Sequence, residues 1–487
     1  MPDVNLTLSS MQALKYQPHQ KYLRQCLSQM KFPFYICWGM GSGKTIGGCI
    51  CMQILQPQQR ALVLCDKSTV LQWVNEIQRV FRCNQKEFAS DLEIVVEHYE
   101  SLDKENAPVP SEFDMVIVDE AHRFRNTWAR ESSRMLYWIE QIQKCDRVIY
   151  LSGTPLVHDA VIDMDAFRRM MQSAQEHPLD TRISIYDPRT DKRNAHHYAR
   201  IEDHQIHCSM TWAQCFKYLM HRRQTFELQL EDEKTPRSRT TSTRNTYNTA
   251  LRSIANCPFP EIEDSSPKMV RILQNMAKEY AQKKKQIVYS SRKDTGVYAL
   301  RDKWLVTAAV KRTYTIDGSM TQHDRAWAMD RFNKTPGSVM FITDAAAQGI
   351  DLKRVDIVHI MEPGDNIQEE YQVINRAVRF KSHRSKDAVV NVYRYIITFP
   401  VSASVSPPWK NELFRSGMFD RVEMKGITRR VQYALLNIIR KEEEQMTIDE
   451  RTLIKREQRD REIRQQLNAL KSFSIEHGNS LRPTLMA

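Results

Sequence analysis

The sequence predicts an α/β protein: two parallel-sheet units followed by a helical C-terminal extension. Three observations carry this. Short apolar runs alternate with helix-like polar stretches over residues 1–180, and the same alternation resumes from 266. Strands separated by helical patterns are joined by crossovers rather than hairpins, which makes the sheets parallel. After about residue 401 the pattern becomes helical. A chain of 487 residues has room for roughly three domains of ordinary size.

In the first unit the expected strands are "FPFYICW", "RALVLCD", "LEIVVEHY", "DMVIVDE" and "DRVIYLSGTP". They are rich in Val and Ile and end at turn residues, as buried strands do. Residues 181–265 differ. "YDPRTDKRNAHHYARIEDHQIH" is polar, and a Thr-, Ser-, Arg- and Pro-rich stretch after residue 234 has the composition of a flexible connector. In the second unit "KQIVYSS", "TYTIDGS", "VMFITDA", "VDIVHIMEP" and "VVNVYRYI" are the expected strands. The tail "TIDERTLIKREQRDREIRQQLNALKSFSIE" has high helix propensity and dense opposite charges, which suits a solvated helix. Leu453, Ile463, Leu467 and Leu470 give it an apolar side. The expected domains are therefore 1–235, a linker 236–265, a second unit 266–400, and the extension 401–487.

Hydrophobic residues make up 41% and charged residues 27%, which excludes a disordered chain. No apolar run approaches the roughly 20 residues that span a bilayer, so no membrane partner is expected. The start lacks a basic segment leading into an apolar one, which argues against secretion. Ten scattered cysteines, several inside apolar runs, fit a reducing intracellular setting. His196, His197, His204, His207 and Cys208 cluster, but their spacing matches no standard zinc pattern, so a polar His-rich loop is expected. The formal charge of +12 favours a polyanionic partner.

The chemistry is concentrated in a few segments. "YICWGMGSGKT" runs from an apolar strand through a glycine-rich turn into a helix-compatible segment. Gly39, Met40, Gly41, Ser42 and Gly43 would wrap phosphate with backbone N–H groups at a helix N-terminus. Lys44 would reach the β- and γ-phosphates, and the Thr45 hydroxyl would hold Mg²⁺. Trp38 stands where the strict pattern has glycine. Asp119 and Glu120 close "DMVIVDE"; Asp119 would hold Mg²⁺ through water and Glu120 would polarise the attacking water. Ser152 and Thr154 in "YLSGTP" end another strand facing the nucleotide and could couple its state to the rest of the molecule. In the second unit "FITDAAAQGIDL" brings Gly349 and Asp351 after a strand, as candidates for nucleotide contact. "YQVINRAVRFKSHRS" supplies Gln372, Arg376 and Arg379. Three residues apart, the two arginines would share one helix face. They would either stabilise charge on the γ-phosphate or belong to a basic face meeting nucleic acid.

Taken together and in order, these motifs resemble helicase superfamily 2. The details are most similar to its chromatin-remodelling (switch/sucrose-non-fermenting) branch: Trp73 and Glu76 in "DKSTVLQWVNEI", the basic tail of "DEAHRFRN", and "LSGTPL". "YQPHQKYL" resembles the adenine-sensing motif, with Gln20 the reader and Gln17 its rival. "NRAVRFKSHRS" and "TIDERTLIKREQ" look like segments of viral members, of the poxvirus nucleoside triphosphatase I and early transcription factor small-subunit type. Asn375 stands where glycine is common before the first arginine.

The resemblance implies two RecA-like lobes with an ATP cleft between them, ATP and Mg²⁺ as cofactors, and nucleic acid, duplex DNA first, as partner. It implies an ATP hydrolase that moves on DNA without separating strands, with a strand-separating DNA or RNA helicase, or a transcription-factor subunit with weak ATPase, as alternatives. His122 and Ser152 would link the cleft to DNA. Ser68, Thr69 and Thr343 would contact phosphates, giving affinity without sequence information. The C-terminal helices could engage an RNA polymerase or transcription factor subunit. For a viral protein, the setting would be the virion and host cytoplasm.

Overall fold

A computed structural model describes residues 16–27, 31–39, 41–55, 60–82, 93–103, 107–124, 133–153, 183–186, 195–211, 241–258, 266–307, 312–343, 350–364, 367–399 and 446–477, with a few positions in 167–171 and 213–222. The chain divides into two compact units, Met1–Ala195 with Arg459–Ala487, and His196–Gln458. Among the described residues no helix is long and apolar enough to cross a membrane.

The first unit carries a six-stranded sheet in the order β3-β2-β4-β5-β1-β6: β1 Phe34–Trp38, β2 Arg60–Cys65, β3 Glu93–His98, β4 Met115–Asp119, β5 Val148–Leu151 and β6 Ile183–Tyr186. Every ladder in it is parallel. The five expected strands form; β6 is a sixth, beside β1. Alternate residues of each strand feed opposite faces. Phe34, Ile36 and Trp38 enter one core, with Val63, Ile117 and Ile149; Tyr35 enters the other, with Leu62, Val116 and Tyr150. This order sets the C-terminal ends of β4, β5 and β1 side by side, the position where parallel sheets bind ligands. Around the sheet lie α1 Pro18–Cys26, α2 Lys44–Leu55, α3 Val70–Arg82 and α4 Ser133–Gln143.

Two adjacent glycines inside α2 cost helix stability, and packing explains them. A Cβ on Gly47 would lie 2.8 Å from the Trp38 ring, and one on Gly48 2.7 Å from the Trp73 ring. Trp38 is therefore accommodated by Gly47. Its indole N–H donates to Ser184 Oγ at 2.9 Å, and His19 meets its ring edge-on.

The second unit holds another six-stranded parallel sheet, in the order β7-β12-β11-β8-β10-β9. Its strands are β7 Arg200–Ser209, β8 Gln286–Ser290, β9 Thr313–Ile316, β10 Val339–Thr343, β11 Ile357–Ile360 and β12 Val389–Thr398. Its helices are α5 Thr241–Asn256, α6 Pro267–Ala281, α7 Ala299–Thr307, α8 Gln322–Lys334, α9 Ile367–Ala377 and α10 Ile448–His477, the last running past Gln458. Local signals start two of them. Ser266 caps α6 by accepting from Met269 N–H, with Pro267 in the first turn, and Thr321 caps α8 by accepting from Asp324 N–H. The architecture is thus two α/β lobes, each built on its own parallel sheet.

The two compact units meet at Ala195–His196, whereas the sequence reading divides the chain at 235. Three expectations are corrected. Residues expected as a polar loop form β7, which pairs with β12 along its full length from Arg200↔Val389 to Ser209↔Thr398. An edge strand is covered on few sides, so β7 can be polar and still be a strand; His204 bonds Asn391 at 2.9 Å and stacks on Tyr393. The expected linker contains α5, whose Leu251, Ile254 and Ala255 enter the core.

The third correction concerns the tail. The start of α10 is not solvated. Thr447, Ile448, Asp449, Thr452 and Arg456 are buried, a largely polar stripe at helical spacing, while Leu453 is only half-buried. Lys268 Nζ donates to Asp449 Oδ2 at 2.6 Å, with both side chains at 0% exposure. Thr447 Oγ donates to Ile397 O, and Ile448 N–H to the Tyr218 hydroxyl, at 2.6 and 2.7 Å. The side chains of Ile463, Leu467 and Leu470, and residues 401–445, lie outside the described residues.

Candidate active site

Three strand ends of the first unit build the site. After β1 the chain turns at Gly41 (φ +76°) and Gly43 (φ +82°), left-handed backbone that favours glycine, and enters α2 at Lys44. The turn is buttressed by α1. Gln20, buried, accepts from Gln17 N–H at 2.9 Å and donates from Nε2 to Gly43 O at 3.3 Å. A Cβ on Gly43 would come within 2.7 Å of that Gln20 nitrogen. His19 Nε2 lies 3.0 Å from Ser42 O; a carbonyl only accepts, so the ring carries its proton there. Gln20 thus braces the glycine turn, whereas Gln17 precedes α1. Met40 lies outside the described residues.

β4 ends in Asp119, and Glu120 follows with φ 50°, which turns the chain sharply into a short 3₁₀ segment, Ala121–Phe124. Asp119 is buried. Its Oδ2 accepts from the Trp73 indole N–H at 2.8 Å and its Oδ1 from Glu120 N–H at 3.0 Å. The close approach of α2 and α3 at Gly48 is what lets Trp73 reach it. Burial, then the neighbouring Glu120 charge, push the Asp119 carboxyl up to about 6. Glu120 goes the other way. Burial alone would raise it, but Lys44 and then His122 outweigh burial and hold it at about 2. The two acids are therefore unlike: Glu120 is the firmly ionised one. Its buried Oε2 has no well-aligned hydrogen-bond donor among the described residues, although His122 Nδ1 lies 3.3 Å away. That nitrogen is 3.0 Å from Ser152 Oγ, at the end of β5, so Glu120, His122 and Ser152 form a line of contacts. Thr154 lies outside the described residues.

Thr69 donates to Asp66 O at 2.9 Å in the 3₁₀ turn after β2, and Arg123 forms an ion pair with Asp66. Of Ser68 only the backbone in that turn is described.

In the second unit Thr343 closes β10 and is buried, and Gly349 lies outside the described residues. Gln372 and Arg376 are half-buried on α9, Arg376 in its last turn. α9 ends at Ala377, so Arg379 lies beyond it and the two arginines do not share a helix face. Arg379 Nη1 instead pairs with Asp351 Oδ1 at 3.1 Å, while burial lowers its pKa. Asp351, expected at the nucleotide, is here the partner of an arginine.

The motifs themselves pointed to Lys44, Asp119 and Glu120. They gave no role to Trp73 or His19, although an aromatic at a fixed motif position and the Gly47-Gly48 pair were readable signs of close packing. They also missed Glu362, buried at the end of β11, which accepts from Ser290 Oγ, Ser291 N–H and Asn256 Nδ2 at 2.7, 2.7 and 2.8 Å.

Known proteins give this geometry its class. Residues 9–157 match the family described as type III restriction enzyme, res subunit, and residues 268–381 match the helicase conserved C-terminal domain. The chain belongs to helicase superfamily 2 and is an ATP-hydrolysing enzyme. It is similar to a protein of Acanthamoeba polyphaga mimivirus named "Putative ATP-dependent RNA helicase", 25% identical over 324 residues, covering 58% of this chain and 69% of the relative. An ATP-dependent RNA helicase of Candida albicans is 31% identical over 124 residues, 24% of this chain and 21% of the relative. A second mimivirus protein of the same description as the first is 28% identical over 160 residues, 29% of this chain and 27% of the relative. Among solved structures, a Sulfolobus solfataricus SWI2/SNF2 ATPase core in complex with dsDNA aligns with a TM-score of 0.33 and 14% identity, covering 90% of this chain and 97% of that one.

Proposed function

We propose that this enzyme is a nucleic-acid-stimulated ATPase that moves along duplex DNA, of the chromatin-remodelling branch, serving transcription in a large DNA virus. One observation carries the chemistry: a half-buried Glu120, held ionised by Lys44 and His122, at a strand end of the same unit as the phosphate-type turn. Glu120 takes the role of aligning and polarising the attacking water. Lys44 and the Gly39–Gly43 backbone hold the phosphates; Gln20 braces the turn near the adenine. Arg376 takes the charge that grows on the γ-phosphate, with Arg379 set by Asp351. Gln372 and Gly349 are assigned as further nucleotide contacts. Ser68, Thr69 and Thr343 contact phosphates of the polymer, and His122, Ser152 and Thr154 pass the state of the nucleotide toward it. The two units act as the ATP-binding and C-terminal helicase lobes.

Mg²⁺ fits the donors present. Asp119 is a buried carboxylate whose proton affinity is raised by burial and then by the neighbouring Glu120 charge, and an adjacent cation would offset both. Thr45 and Asp119 would hold the ion, which neutralises phosphate oxygens when bound. Trp73 orients Asp119 from behind. Trp73→Phe keeps the ring's bulk and removes the N–H. It should raise the Mg²⁺ concentration for half-maximal turnover by about tenfold or more, as loss of a ligand's outer partner does. An unchanged Mg²⁺ titration would remove Trp73 from this role.

The DNA-translocase reading is supported by the motifs "QWVNEI" and "DEAHRFRN" and by the net charge of +12. A second reading, an RNA helicase, is favoured by the names of the three curated relatives. Turnover measured side by side with duplex DNA, single-stranded DNA and RNA separates them. Stimulation by duplex DNA without displacement of a tailed strand is expected; RNA-specific stimulation with displacement would favour the rival. Engagement of a polymerase or transcription factor through the C-terminal segment, and residence in the virion, belong to the same proposal.

A further inference from the structure

A buried charge cluster in the second unit ties the C-terminal helix to the arginine-bearing helix. Glu370, in the first part of α9, is 0% exposed. It accepts from both terminal nitrogens of Arg456, a two-pronged contact, with Nη2 at 3.3 Å from Oε2. It also pairs with Arg394, in the middle of β12. Arg394 in turn donates from Nε to both oxygens of Asp203 on β7, each at 2.9 Å. Two acids and two arginines balance, so the cluster is neutral although largely dry. Glu370 Oε1 also accepts from Gly364 N–H at 2.8 Å.

This is a costly way merely to anchor a tail. Ile448, Thr447 and the Lys268–Asp449 pair already anchor it elsewhere. The distinctive consequence lies along α9. Glu370 and Arg376 are on the same short helix, Ile367–Ala377, and a helix moves as a rigid rod over such a length. A fork-and-carboxylate contact fixes rotation as well as position, which a single ammonium would not.

We infer that Arg456 is a positioning residue for ATP hydrolysis: by gripping Glu370, the C-terminal helix sets the rotation of α9 and so the aim of Arg376. This rests on the proposed role of Arg376 at the γ-phosphate. The segment beyond residue 401 thereby becomes part of the motor rather than an appendage, and a partner pulling on it would alter turnover.

The test uses the full-length protein and measures kcat and KM for ATP with a saturating polymer, together with melting temperature and binding of a fluorescent ATP analogue. Arg456→Met leaves Glu370 paired to Arg394, so the fold should persist. It should lower kcat on the order of 10- to 100-fold, the scale of a small misplacement of a catalytic group, with analogue affinity unchanged. Arg456→Lys, the milder variant should Arg456→Met fail to fold, keeps the charge but not the fork and should also lower kcat. The double variant Arg456→Met/Arg376→Ala should be no slower than Arg376→Ala alone, since the two act through one element. Thr447→Val, which loosens the same helix away from α9, should lower the melting temperature and spare kcat. The inference is overturned by kcat within twofold of the parent in a folded Arg456 variant, by additive losses in the double variant, or by an equal kcat loss in Thr447→Val. If Arg376→Ala itself leaves turnover intact while Glu120→Gln abolishes it, the arginine reading fails and this inference falls with it.

Discussion

Glu120→Gln should abolish turnover while leaving ATP binding in place. The substitution keeps shape and hydrogen-bonding capacity but removes the charge that Lys44 and His122 hold ionised. A positioned base is worth about 10²–10⁴ in rate, so the loss should fall in that range. Lys44→Ala should lose turnover and analogue binding together, because its ammonium addresses the phosphates directly. The pair is diagnostic in combination: one variant binds without turning over, the other does neither. Steady-state hydrolysis with duplex DNA present, alongside fluorescent-analogue titration, reads both. If Glu120→Gln retains turnover within threefold of the parent, Glu120 is not the residue that handles the water.

The second large effect is on stability. Lys268 and Asp449 are both fully buried, and Lys268 Nζ also donates to Asn256 Oδ1 at 3.1 Å. Lys268→Met removes one charge and strands the other, along with the Asn256 carbonyl. Breaking a buried pair in this way costs about 3–5 kcal/mol. Asp449 Oδ2 also accepts from Ile397 N–H on β12, so the loss should reach the sheet. Hydrogen exchange should quicken by about 10²–10³-fold at amides of β7, β12 and the start of α10, where local opening governs protection. Amides of β1, β2 and β4 in the first unit should keep their rates. Uniform acceleration across both units, or none, would contradict the assigned role of this pair. The simultaneous exchange Lys268→Met with Asp449→Leu should recover much of the loss, since an apolar pair avoids desolvation altogether.

Much of this enzyme is legible in its sequence. The apolar runs marked ten of the twelve strands among the described residues, because buried parallel strands are almost continuously apolar. Gly41 and Gly43 marked a tight turn into the helix that opens at Lys44, since left-handed backbone favours glycine. Asp119 and Glu120 stood out as paired acids where an apolar strand stops. These are local requirements, met by residues adjacent in sequence.

What the sequence alone did not decide depends on neighbours distant in the chain. β7 has the composition of a loop; it is a strand because β12 offers it a full ladder of partners. Arg379 was expected on the helix with Arg376, but the helix ends first and Asp351, 28 residues earlier, holds it. The tail looked solvated because its charges are dense; Asp449 and Arg456 are buried because Lys268 and Glu370 wait for them 181 and 86 residues away. Even the difference between Asp119 and Glu120 is tertiary. The two carboxylates are adjacent and chemically alike, yet Trp73 faces one while Lys44 and His122 draw down the other. Sequence by itself determined which groups are candidates for the chemistry, because their types and local spacing are intrinsic to it. Only the fold decided their protonation, orientation and partners, because burial and electrostatics depend on what packs against a group rather than on what precedes it.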